Sequence, residues 1–405
     1  MTLESRLKWF VSIGLIMNMV GFLAPAAVLP QILDDWQLSE KAGGLLTGAL
    51  FGGYALSSPF LSALTDRIDA KRIMLAALIA SACAGYGIAY LADGLWSTVG
   101  FRVIAGFGLA GYYMPGLKLI ADLLEGDRRM RTAAVYPSMF ALGGAGPFFV
   151  ASILDAPADW RWIFVISGHA ALIAFVIVAL LVPGSPNNTT GSAHVKFHAA
   201  FGRAVRNKGV QAYSLAAVGH ISEIFSFRSW IIASMIFGIS LPINQSFTEW
   251  NLPFVAALST VITVPASVMF ARLSMTGDRR KIVAFIALSS ASVAVIMAFS
   301  IHGSFLTFCL LLMVYGVTTF GDTATLSGGV VMHADAESRG AALAVFSLCG
   351  FGGGMVGPIV IGLLIESFGG RLAPDAWSAA YLGLACFALV PALTMGLYSR
   401  WLEKS

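Results

Sequence analysis

The sequence predicts an all-α integral membrane protein, with twelve transmembrane helices in two pseudo-symmetric six-helix bundles. Three observations carry this reading. Hydrophobic residues make up 58% of the 405-residue chain and charged residues only 11%, whereas a soluble domain is about one-quarter charged. Twelve apolar runs come close to the roughly 20 residues that a bilayer-spanning helix needs. The basic residues are sorted between alternate loops: with a cytoplasmic N-terminus, 19 Lys and Arg lie in inside segments and 3 outside, as the positive-inside rule requires. The net charge of +4 is therefore a matter of topology and no argument for nucleic acid.

The runs fall at about 9–32, 43–64, 73–92, 97–121, 132–154, 162–182, 212–240, 252–272, 282–301, 304–332, 340–366 and 376–399. The first contains "APAA", which looks cleavable, but the apolar stretch continues through "VLPQIL" and is read as a span. The second carries Gly44, Gly48 and Gly52 at four-residue spacing, a ridge that permits close helix contact. The next loop reads "SALTDRIDAKR" and holds Asp66, Arg67, Lys71 and Arg72. The fourth span holds Arg102, Tyr113 and Lys118, and the fifth contains "GGAGP". After the sixth, the segment 186–209 is polar, then basic. It reads as a cytoplasmic linker between bundles at 1–185 and 210–405. The seventh run is too long for a simple span; the eleventh has glycines at 350, 353, 354 and 357. Cys83, Cys309, Cys349 and Cys386 sit in apolar runs without metal or disulfide spacing and read as small core residues.

The two halves repeat each other. Pro147 and Pro358 close similar glycine-rich stretches 211 residues apart, Arg128 and Arg339 keep the same offset, and Pro30 and Pro242 differ by 212. A six-plus-six repeat in parallel orientation is the layout of a transporter with a central site.

The loop "SALTDRIDAKR", the "RVIAGFGLAG" of span four and the "DWRWIFVIS" that opens span six resemble motifs of the major facilitator superfamily. Ser62 and Asp69 stand where the loop motif has glycines, and Ala70 where it has a basic residue. The resemblance covers the whole chain. It implies that Asp66, Arg67, Lys71 and Arg72 form a cytoplasmic gate between the halves, and that spans one, four, seven and ten line the cavity.

Those are the spans that hold charge: Arg102 and Lys118 in four, His220, Glu223 and Arg228 in seven, and Asp322 in ten, with the polar Asn18 in one. A charge at a span's centre costs about 2.5–3.5 kcal/mol, so a wet cavity is their natural place. At 100° per residue, Glu223 and Arg228 lie about 60° and 80° to either side of His220, and Tyr113 within about 20° of Arg102. Lys118 points elsewhere. The expected substrate ligands are thus Arg102, Tyr113, Arg228, Asp322 and Asn18, with an Arg228–Asp322 pair across the cavity. Glu223 and His220 are the expected proton carriers.

The function expected is proton-coupled transport, by alternating access, of a small organic solute that leans anionic or zwitterionic. Efflux of a lipophilic cation recognised by Glu223 or Asp322 is the alternative within transport; a transporter-like sensor is the alternative outside it. No phosphate loop, zinc-protease motif or nucleophile elbow occurs, so neither enzyme activity, cofactor nor metal is expected. The expected partners are the solute, protons and the lipid bilayer of a bacterial inner membrane. The protein is expected to be monomeric, with cytoplasmic termini.

Overall fold

A computed structural model describes residues 2–65, 67–154, 159–185, 197–335 and 338–402. These residues form helices and connecting turns without a β-strand. Eight helical spans are long and apolar enough to cross a membrane: Ala70–Tyr90, Leu95–Leu123, Arg161–Leu181, Lys208–Ser240, Arg279–Ser300, Phe305–His333 (with a break at Gly321 and Asp322), Arg339–Ser367 and Pro374–Leu402. Glu40–Leu64 supplies the second span as one helix. The remaining expected spans are segmented. Span one runs through Ser12–Asn18, Ala24–Ala27 and Leu29–Asp35. Span five is split into Gly126–Gly143 and Gly146–Ile153, and span eight into Leu252–Val261 and Thr263–Thr276. Proline stands in the first turn of Ala24–Ala27, Leu29–Asp35, Gly146–Ile153 and Leu252–Val261, where its missing N–H costs least.

The excess length of span seven is real. Lys208–Ser240 is one 33-residue helix, about 50 Å long at 1.5 Å per residue, against a hydrocarbon core of about 30 Å. The surplus lies at its start. Val210 and Tyr213 share a small core with Ala200 and Ala204 of the preceding helix Phe197–Arg206, and with Ala342 and Val345 of span eleven. The linker's described end is therefore docked on the second half. Of the cysteines, Cys309 is buried, but Cys83 and Cys386 are exposed on their helices, which corrects their reading as core residues.

Within the first half, spans two and three pack on four, and three on six; within the second, spans seven and nine pack on twelve, and seven on eleven. Spans two and eleven join the halves. Gly48 is required there: a Cβ on it would stand 2.5 Å from the Met355 carbonyl oxygen, and one on Gly44 would overlap the Pro358 carbonyl. Packing between halves concentrates at the end of the molecule that bears the loop between spans one and two. There Lys41 N donates to Glu366 at 3.1 Å, Arg371 N to Glu40 at 3.3 Å and Asn251 Nδ2 to Ser152 O at 2.8 Å. At the opposite end, the loop between spans two and three is tied into its own half. Asp69 accepts from the amides of Lys71 and Ser185 at 3.0 and 3.2 Å, and Lys71 Nζ donates to Ala179 O at 2.9 Å.

Candidate functional site

Arg228 is the organising residue. It lies on the buried span seven, 4% exposed, with its ζ carbon 4.4 Å from the centre of the Phe320 ring. Among the described residues it has neither a carboxylate partner nor a hydrogen bond. Its guanidinium abuts the break in span five: a Cβ on Gly144 would stand 2.8 Å from Arg228 Nη1. One helix of the second half thus presents a cation to an interrupted helix of the first. A buried charge without a counter-charge is costly, and the cation–π contact recovers on the order of 2 kcal/mol. A guanidinium so placed is able to bind an anionic group.

An aromatic wall adjoins it. Phe225, three residues before Arg228, stacks on Phe51 of span two with ring centres 3.9 Å apart. Phe22, in the turn that breaks span one, meets Phe51, Phe140 and Phe225 edge-on at 5.4–5.6 Å. Phe351 of span eleven packs on Tyr54 at 4.0 Å. Phe140 lies one turn before Gly144, and Tyr113 meets it edge-on at 5.0 Å while stacking on Tyr136 at 5.5 Å. Rings from both halves therefore interlock beside the cation. None of these phenylalanines was expected as a site residue. Each is an ordinary apolar residue in its own span, and no spacing in one helix signals a cluster assembled from five.

The other charges of span seven face the interior of the second half. His220 Nδ1 is 2.7 Å from Asp322 Oδ1, and its Nε2 is 2.8 Å from Thr323 Oγ1. Ser290 of span nine donates to Glu223 Oε1 at 2.5 Å. The Tyr315 hydroxyl faces the same carboxylate without a hydrogen bond of full geometry. His220, Glu223 and Asp322 are each 2% exposed. The expected Arg228–Asp322 pair is not formed, because Asp322 sits in the break of span ten and turns to His220 instead.

Three expected substrate ligands have partners within the protein. Arg102 donates to the carbonyls of Gly21, Phe22 and Leu46 at 2.7, 2.6 and 3.3 Å. It holds the broken turn of span one, whose carbonyls the lost helical pattern leaves without amide partners. Asn18 reaches Gly108 O at 3.5 Å and lines a small cavity of the first half with Arg102, Ser81 and Ser167; its buried Oδ1 has no partner. Asp322 is the third, committed to His220. Lys118 pairs with Asp122 at 3.1 Å. Of the expected gate residues, Asp66 lies outside the described residues; Arg67 and Arg72 are exposed, and Lys71 is bound within its own half.

Comparison with known proteins gives a consistent placement. The family model described as Major Facilitator Superfamily matches residues 11–274 and 221–405. Protein spinster homolog 3 of Danio rerio is 25% identical over 177 residues, 43% of this chain and 36% of the relative. The niacin transporter NiaP of Acinetobacter baylyi is 25% identical over 42% of this chain and 39% of the relative. The sphingosine-1-phosphate transporter SPNS2 of Mus musculus is 24% identical over 43% and 32%. The chain thus matches about a third of the length of these curated relatives. Among solved structures, a bacterial homolog of the human lysosomal transporter Spinster, inward-facing and occupied, superimposes with a TM-score of 0.79 over 99% of this chain and 97% of that one, at 16% identity. The nucleoside transporter NupG superimposes at 0.75 over 99% and 100%, at 13% identity.

Proposed function

Because the chain belongs to the Major Facilitator Superfamily, we propose that it is a secondary active transporter for a small organic anion or zwitterion with an apolar or aromatic body, driven by protons. Arg228 is the observation that carries this: a buried guanidinium at the boundary of the halves, free of any carboxylate among the described residues, beside an aromatic wall. The solute's acidic group binds Arg228, and its body lies against Phe225, Phe140 and Tyr113. The solutes named for two relatives, niacin and sphingosine-1-phosphate, each join an acidic group to a ring or chain. A lipophilic cation has less to bind, since Glu223 and Asp322 are already partnered.

Proton coupling falls to His220 and Glu223. Both are buried one turn apart on the span that carries Arg228, so a change of charge there is felt along the helix that holds the solute. The alternation itself follows from packing. The end carrying the loop between spans one and two is sealed by glycine–backbone contacts and cross-half hydrogen bonds. The distribution of basic residues supports a topology with that end outside and the termini in the cytoplasm. Arg67, Lys71 and Arg72, with Asp66, are the proposed gate at the opposite end.

Purified protein in liposomes, given an imposed pH gradient and a panel of radiolabelled carboxylates, phosphates and lipophilic cations, tests this reading. Accumulation of an acidic solute that requires both the gradient and Arg228 is expected. Accumulation of cations alone, unaffected by Arg228→Ala, would overturn it.

A further inference from the structure

Span ten is interrupted at Gly321 and Asp322, between helices Phe305–Phe320 and Thr323–His333. Gly321 N reaches Thr318 O at 3.4 Å, and the ladder restarts with Leu326 N to Asp322 O at 2.8 Å. Asp322 is the N-cap of the second helix, where an aspartate normally accepts from the amides two or three residues on. Here it makes no cap bond, because its carboxylate is 2.7 Å from His220 Nδ1. The first-turn amides of Thr323–His333, orphan donors in any helix, go without their usual acceptor.

The second ring nitrogen is tied to the same break. His220 Nε2 lies 2.8 Å from Thr323 Oγ1, and that hydroxyl is also 3.3 Å from Phe320 O, the last carbonyl of the first helix. With Nδ1–H held by Asp322, a neutral ring has a bare Nε2, and the Thr323 hydroxyl donates to it. A proton added at Nε2 reverses that bond: the ring donates, and the hydroxyl hydrogen turns to Phe320 O. The contact at Nδ1 meanwhile becomes a charge-assisted pair between opposite ions. When the proton leaves Nε2, the pair weakens, and the helix N-terminus next to Asp322 competes for its carboxylate.

We propose that His220 pins a proton-switched hinge in span ten, with Asp322 and Thr323 as its positioning residues. With His220 protonated, Asp322 stays on the ring and the two segments keep their break. With His220 neutral, Asp322 caps its own helix and the segments realign. The proton enters and leaves at Nε2, and no other bond to hydrogen is made or broken beyond the turn of the Thr323 hydroxyl. The inference rests on the transport reading above, to which it assigns a coupling device. The titratable groups facing His220 are Asp322 of span ten and Glu223 of its own helix. Glu223 in turn faces Tyr315 and Ser290. Arg279 of span nine reaches Thr325 O at 3.3 Å, one turn beyond the break. Spans eleven and twelve carry no Asp, Glu, Lys or Arg over 340–365 and 376–399.

The test is a distance. Spin labels replace Leu215 on span seven and Met332 on span ten, which are 54% and 70% exposed, in full-length protein lacking Cys83, Cys309, Cys349 and Cys386, held in lipid nanodiscs. Imidazoles change charge between about pH 5 and 8, and over that range the distance distribution is expected to shift between two populations. His220→Gln and Asp322→Asn should each fix the high-pH distance, while Thr325→Val, which removes a nearby buried hydroxyl, keeps the shift. If Asp322→Asn does not fold, His220→Gln decides alone. A shift that survives His220→Gln, or a wild-type distance indifferent to pH, overturns the hinge. Gradient-driven uptake in liposomes is measured beside it. A static distance with intact uptake sinks the hinge and leaves the transport reading; a moving distance without gradient-driven uptake does the reverse.

Discussion

Asp34, at the end of span one, and Arg371, beyond the end of span eleven, form an ion pair that crosses from one half of the molecule to the other. The pair is flanked by the bonds from Lys41 N to Glu366 and from Arg371 N to Glu40, so Arg371 is held to the first half through its backbone as well as its side chain. Asp34 is largely exposed. An exposed pair is worth about 0.2–1 kcal/mol, so Arg371→Ala should raise the population open at this end by no more than about fivefold. Labelling of a cysteine at Phe51 from that side of the membrane measures it. An unchanged labelling rate would mean that the bridge does not gate.

The glycine contact beneath the bridge should matter more. Gly48→Leu forces a side chain against the Met355 carbonyl, and overpacking of this kind costs typically about 1–3 kcal/mol. The variant should insert normally, fail to close at this end and lose most uptake. Cysteine accessibility from the two sides reads the change; free alternation in Gly48→Leu would misplace the contact.

For Arg228, the expected loss is in binding. Truncating one partner of a desolvated charge pair costs about 2–5 kcal/mol, so Arg228→Ala should weaken the affinity for an acidic solute by at least about thirtyfold. Arg228→Lys should recover part of this and miss the bidentate fork. Titration in detergent checks both, and wild-type affinity in Arg228→Ala would remove the residue from the site.

Glu223→Gln should separate coupling from binding. The amide keeps the shape and can still accept from Ser290, but it takes up no proton. Accumulation driven by a pH gradient should disappear, with solute binding and counterflow exchange largely kept. Full accumulation against a concentration gradient would end the assignment.

Arg102→Met should behave as a folding defect. It strips the Gly21 and Phe22 carbonyls of their donor, while Leu46 O keeps its place in the ladder of Glu40–Leu64; leaving such groups unsatisfied costs about 1–3 kcal/mol each. A melting temperature lowered by several degrees is expected, with affinity per folded molecule unchanged. A stable protein that has lost solute binding would instead restore Arg102 to the cavity.

Much of this architecture is legible in the order of residues alone, for a physical reason. Burying a charge in a bilayer is so costly that its position along the chain is informative; hence Arg102, Glu223, Arg228 and Asp322 stand out. Their partners are not legible. Which carboxylate meets which cation depends on a few tens of degrees of helix rotation, and the break at Gly321 supplies that rotation for Asp322. Two of the carbonyls that engage Arg102 are free only because span one is interrupted at Gly21 and Phe22, and an interruption leaves little trace in hydropathy. The aromatic wall is hidden for the opposite reason, since phenylalanine is unremarkable anywhere in a span.

The breaks in spans one and ten are fastened with different chemistry. That of span one is stapled by Arg102, whose guanidinium holds its proton throughout the physiological range; that of span ten is fastened by an imidazole, which does not. Of these two fasteners, only the one in span ten changes charge over the range in which an imidazole titrates. On the hinge proposed above, the break in span one is the fixed joint and the break in span ten is the one that moves. A chimera that exchanged the two fasteners would move the pH sensitivity to the opposite bundle while leaving every solute contact in place.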